Sequence, residues 1–75
     1  MKNKLYKHIE VFAKNLKIER TARNMTQKQM AESLGIKTQS YQAYERGLTL
    51  PSAENLVKLA IFLNVSIDEL FELDK

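Results

Sequence analysis

The 75-residue chain contains a single histidine, His8, and no cysteine. Disulfides, thiolate metal sites and cysteine nucleophiles are therefore excluded. His8 lies between Lys7 and Ile9 and is most simply a solvated helix residue. The neighbouring acids Asp68 and Glu69 are accounted for by helix capping and the helix dipole rather than by acid–base chemistry. No Gly-rich phosphate loop and no H-E-x-x-H or comparable ligand spacing occurs. No catalytic residue, metal or cofactor is expected, which leaves hydrogen bonding and charge. Gln27, Gln39 and Gln42 fall close together, interleaved with Lys28, Lys37 and Arg46. A Gln amide places a donor beside an acceptor, which matches the N6/N7 edge of adenine, while Lys and Arg suit phosphate. A merely solvated helix face would carry the same residue types.

Hydrophobic content of 44% with 28% charged residues fits one soluble, folded domain, here expected over residues 1–75. So short a chain buries only about 60% of its unfolded surface, so pairing with a second copy would help it. The net charge of +3 hides an asymmetry. Residues 1–37 hold nine Lys/Arg against three Glu, whereas residues 38–75 hold three against six acids. A basic end of this kind suits a polyanion, although a solvated helix face bearing Lys2, Lys4, Lys7, Lys14 and Lys17 would look alike. No apolar stretch approaches a membrane span and no signal-peptide core follows the N-terminal lysines, so a cytoplasmic location with no membrane partner is expected.

Helical periodicity organises the chain. Leu5, Ile9, Phe12, Ala13 and Leu16 recur at three and four residues, so residues 1–23 read as one amphipathic helix, with about 1–11 as an N-terminal extension. Asn24 suits the left-handed position that stops it. Thr26 and Gln29 form a capping box, with Met25 and Met30 as its hydrophobic staple, so a second helix starts near Gln27 and stops at Gly35. A third holds Tyr41 and Tyr44 and closes at Gly47. Ser52 can cap a fourth, whose Leu56, Leu59, Ala60 and Leu63 share a stripe. Ser66 and Glu69, stapled by Val65 and Leu70, open a short fifth. No stretch alternates with period two, so the fold is all-α with five helices.

Two short helices joined by three residues around Gly35 make a helix-turn-helix arrangement. Met30, Leu34, Ile36, Tyr41 and Tyr44 must face one core, and Ala31 must be small where the helices cross. An αα-corner that only packs would meet the same demands. The segment TQKQMAESLGIKTQSYQAYERG, residues 26–47, resembles the lambda-repressor-like family of phage repressors, Cro proteins and small bacterial regulators. The likeness runs from about Phe12 to Phe71 and includes Thr26-Gln27, Ala31, Gly35, Glu45, Gly47, Pro51 and LVKLAIFLNVSIDEL. It implies a five-helix domain that binds double-stranded DNA, usually as a dimer on an operator of approximate two-fold symmetry. It further implies that Arg20 on the first helix pairs with Glu45 on the third.

In that docking the start of the third helix enters the major groove and the second crosses the backbone. With Tyr41 and Tyr44 in the core, Thr38, Gln39, Gln42 and Ala43 face outward as base readers, and Ser40 lies near the helix start. Gln27 resembles the family's phosphate-binding glutamine, and the free N–H groups beside it reach the same oxygen. Lys28, Ser40, Lys37 and Arg46 are further phosphate candidates. Three positions depart from the family pattern. Lys37 stands where Ser or Thr often caps the third helix, so either Thr38 caps one residue later or the helix starts uncapped. Tyr41 and Tyr44 replace aliphatic residues and need partners for their hydroxyls. Glu19 stands where an apolar residue is common.

Some apolar residues are left over once one core is filled. Val57 and Ile61 form an i, i+4 pair beside the inward stripe of the fourth helix, and Phe71 and Leu73 follow near the C-terminus. These four are the expected homodimer interface, with cover by Leu5 and Tyr6 as the competing explanation. The function so implied is a sequence-specific DNA-binding regulator, a repressor in its simplest form, with no small-molecule ligand. The alternative is an antitoxin-like module that binds a second protein and uses DNA for autoregulation. An RNA binder is disfavoured because no aromatic stacking surface interleaves with the basic residues.

Overall fold

The computed structural model describes residues 4–73, with side chains described from Lys7 onward. Five helices follow in order: α1 (Lys4–Ala22), α2 (Gln27–Leu34), α3 (Thr38–Glu45), α4 (Ala53–Leu63) and α5 (Ile67–Phe71). Among the described residues there is no strand. Both capping boxes form: Thr26 accepts from the Gln29 N–H while the Gln29 side chain accepts from the Thr26 N–H, and Ser66 and Glu69 do the same. Ser52 caps α4 by accepting from the Asn55 N–H. Lys37 precedes α3 with no side-chain cap, so that helix does start uncapped.

All five helices end by one device. A left-handed residue follows each, and the next N–H turns back to a carbonyl five residues earlier: Met25 to Arg20, Ile36 to Ala31, Leu48 to Ala43, Val65 to Ala60 and Leu73 to Asp68. Gly35 and Gly47 adopt the left-handed angle freely, and Asn24 tolerates it. Asn64 and Glu72 serve at the last two stops. At Glu72 the side chain accepts from the Asn15 amide, which also donates to the Leu70 carbonyl, so contacts to α1 hold this unfavourable turn.

Phe12, Leu16, Met30, Ala31, Leu34, Tyr41, Tyr44, Leu59, Leu63 and Leu70 form the core. Ile36 packs at its edge, as do Leu56 and Val65. Ala31 is fully buried, consistent with a crossing that admits only a small side chain. Phe71 was expected at an interface between copies, but its ring is half-buried and stacks on Phe12 at 4.9 Å. α5 packs on α1 and turns part of this ring inward, so only its remaining exposed part is open to a second copy. The proposed cover by the Leu5 and Tyr6 side chains lies outside the described residues.

Glu19 has an explanation in this packing. Its carboxylate accepts from Arg23 at 2.7 Å, and the same guanidinium donates to the Leu63 carbonyl at the end of α4. The departure from an apolar residue thus positions an arginine that ties α1 to a helix C-terminus, where positive charge is favoured.

Candidate nucleic-acid interface

The α2–α3 corner is anchored from below by one carboxylate. Glu45 ends α3 with its side chain 3% exposed, and it accepts from Arg20 through two nitrogens, Nε to Oε2 at 2.6 Å and Nη2 to Oε1 at 3.1 Å. The remaining Arg20 nitrogen donates to the Met25 carbonyl at 2.8 Å, in the loop before α2. The Tyr41 hydroxyl donates to Glu45 Oε2, and Gln27 Nε2 donates to Glu45 Oε1 at 3.0 Å. Gln42 Nε2 in turn donates to Gln27 Oε1 at 3.1 Å. One chain of hydrogen bonds therefore runs from α1 through the core to the outer face of the corner.

The electrostatics follow from this. Burial alone would raise the Glu45 carboxyl, but hydrogen bonds from Arg20, Tyr41 and Gln27 outweigh it and hold its pKa below the ordinary carboxylate value. Burial, reinforced by the Glu45 carboxylate, pushes the Tyr41 phenol far up. The bond to Glu45 raises Arg20 against the opposing effect of burial. At neutral pH the three groups are a carboxylate, a phenol and a guanidinium, each with its partner.

Gln39, Gln42 and Ala43 on α3 and Arg46 at its C-cap stand three and four residues apart, on the face opposite Tyr41 and Tyr44. Gln39 and Arg46 are exposed, while Gln42 and Ala43 are half-buried. Thr38 is half-buried at the edge of that stripe, one turn before Gln42 and toward the Glu45 side of the helix; Ser40 is exposed on the other flank. Gln27 is half-buried at the first turn of α2, where the N–H groups are free of helical partners; Lys28 is exposed next to it, and Lys37 is exposed at the start of α3. Gln27 and Gln42 had been assigned separate roles; the structure joins them. Tyr41 was expected in the core with a partner for its hydroxyl left unnamed; that partner is Glu45, one turn on, and the i, i+4 spacing was the signal for it.

Donors at a helix N-terminus beside an outward stripe of amides are suited to a polyanion with readable edges. A family model for the helix-turn-helix matches residues 16–70. The chain belongs to this helix-turn-helix family. Relatives of the helix-turn-helix chain include the cryptic phage CTXphi transcriptional repressor RstR of Vibrio cholerae, 56% identical over 52 residues, which cover 69% of the present chain and 46% of that protein. An uncharacterized HTH-type transcriptional regulator of Methanocaldococcus jannaschii is 38% identical over 75% of the present chain and 85% of its own. Among solved structures, the restriction-modification controller protein C.AhdI of Aeromonas hydrophila superposes with a TM-score of 0.75 at 32% identity, covering 84% of the present chain and 96% of that one. The chain spans about half the length of the first curated relatives it matches.

Away from the corner, Val57, Ile61 and Leu73 are exposed, Ile61 by 75%. Ile61 points directly away from the Leu59–Leu63 side of α4. Ile18, Leu48 and Phe62 are also exposed and were not named among the leftover apolar residues, although the stripe through Leu59 and Leu63 already left Phe62 off the inward face. No helix of the structure is long and apolar enough to cross a membrane.

Proposed function

We propose that this chain is a sequence-specific double-stranded DNA-binding repressor that acts as a homodimer on a pseudo-palindromic operator. The observation that carries this reading is the outward stripe of Gln39, Gln42, Ala43 and Arg46 beside the free α2 N-terminus at Gln27. The names of its relatives, a phage repressor among them, point the same way. In this docking Gln39 and Gln42 meet base edges from the major groove, with Ala43 offering a methyl to thymine. Thr38, half-buried like Gln42 and one turn before it, contributes beside the amides. Gln27, Lys28, Lys37, Ser40 and Arg46 engage phosphates.

Selection of bound duplexes from a random library tests this reading. The protein should enrich a two-fold related site, and Gln39→Ala should cost about 1–3 kcal/mol on that site while relaxing preference at one base pair. Lys28→Ala should weaken every site similarly and lower the salt slope by about one. Failure to enrich any sequence over random DNA would favour the antitoxin-like alternative, in which the apolar α4 face serves a second protein.

The dimer is proposed to form through α4, where Val57 and Ile61 present an i, i+4 apolar pair flanked by Phe62. Pairing across a two-fold axis would set two α3 helices about 34 Å apart, one turn of DNA. Sedimentation should show a dimer at micromolar concentration that Ile61→Lys dissociates, with loss of operator binding and unchanged helicity. A protein monomeric both free and on DNA would rule this interface out.

A further inference from the structure

An amide can present either end outward, and a reading of DNA by Gln42 depends on which end it presents. Glu45 settles the matter through one intervening side chain. Its carboxylate only accepts, so Gln27, within reach at 3.0 Å, must turn its NH2 group toward it. That leaves the Gln27 carbonyl to face Gln42, so Gln42 must turn its own NH2 group inward at 3.1 Å. Arg20 and Tyr41 hold the carboxylate from the other side, so it is not free to turn away.

With one N–H committed to Gln27, Gln42 keeps its carbonyl oxygen and a second N–H for DNA. An acceptor beside a donor complements the N7/N6 edge of adenine. Were the amide reversed, its carbonyl would be spent on Gln27 and only N–H donors would face outward. Donors alone complement the O6 and N7 acceptors of guanine. We propose that Glu45, acting through Gln27, is a specificity-positioning residue that makes Gln42 read adenine in preference to guanine. The inference rests on the assignment of Gln42 as a base reader and adds to it the base and the reason for its choice. It also gives Gln27 a second role beside phosphate contact.

The test changes residue 27 and leaves the buried ion pair intact. Sites are selected from randomised duplexes by the wild type and by Gln42→Ala, Gln27→Met and Gln27→Lys, with circular dichroism to confirm that each variant is folded. Gln42→Ala identifies the base pair that this residue reads, and the wild type should show adenine there. Gln27→Met keeps the length but removes both polar ends, so the adenine-to-guanine ratio should fall by about tenfold. In Gln27→Lys, an ammonium donates both to Glu45 and toward residue 42, so the Gln42 carbonyl turns inward and guanine should become the favoured base. A charge effect on phosphates alone would raise affinity for all sites without that exchange. The relay is overturned if the wild type selects guanine at that pair, or if neither change at residue 27 alters the ratio while Gln42→Ala still erases it. If Gln42→Ala leaves every position of the selected site unchanged, the base-reading assignment itself is wrong and the relay falls with it.

Discussion

Glu45→Ala is expected to cost about 3–5 kcal/mol, the range for breaking a buried pair by removing one partner. Its carboxylate is almost fully enclosed, and its loss would strand the Arg20 guanidinium, the Tyr41 hydroxyl and one N–H of Gln27 at the junction of α1, α2 and α3. At roughly 0.05–0.15 kcal/mol per residue, a chain of this length has only about 4–11 kcal/mol in total, so the variant should lose between about a quarter of its stability and all of it. The ionisation behaviour supplies a second readout. Because folding depresses the Glu45 pKa, its stabilisation is present above the unfolded carboxylate value and is lost as pH falls through the folded one. Wild-type stability should therefore drop below about pH 4, and a partly stabilised Glu45→Gln variant should show a shallower acid limb. Folding raises the Tyr41 pKa, so that contribution is lost in the opposite direction, as pH rises above about 10. Denaturant melts of the three proteins between pH 3 and 11 check both limbs. An acid limb of equal steepness in wild type and Glu45→Gln would mean that other carboxylates carry it.

The other large effect is on DNA affinity. If each protomer engages phosphates through the α2 N-terminus and residues such as Lys28, Lys37 and Arg46, a dimer would neutralise about six to ten of them. Released counterions then make the logarithm of the association constant fall with that of salt concentration at a slope of about −5 to −9. Affinity should decline by about 10³–10⁵ between about 50 and 200 mM salt. The exposure of Lys28 in the first turn of α2 and of Lys37 and Arg46 at the two ends of α3 supports this expectation, and the acidic residues Asp68, Glu69 and Glu72 cluster on and after α5. Fluorescence anisotropy of a labelled operator at several salt concentrations measures the slope. A slope shallower than about −2 would be incompatible with the docking proposed for this face.

Local chemistry in the sequence determined the elements. T-x-x-Q at Thr26 and S-x-x-E at Ser66 need only neighbouring residues to satisfy the free N–H groups of a helix start, so both boxes were legible as written. Gly35 and Gly47 mark left-handed stops for an equally local reason, the absence of a Cβ. Three-and-four spacing assigned Phe12, Leu16, Leu59 and Leu63 to the core because burial of a helix face repeats with the helix itself. Resemblance to a known family supplied the Arg20–Glu45 pair, which spans 25 residues and has no local signature. Glu72 could not have been read as a helix stop, since its left-handed turn depends on the Asn15 amide of α1. Phe71 looked free because its partner, Phe12, is distant in sequence. The link from Glu45 through Gln27 to Gln42 likewise exists only once α2 and α3 cross. Side-chain periodicity decides which face a residue occupies, but the direction in which an amide hydrogen-bonds is set by whichever donor or acceptor the tertiary fold places opposite it.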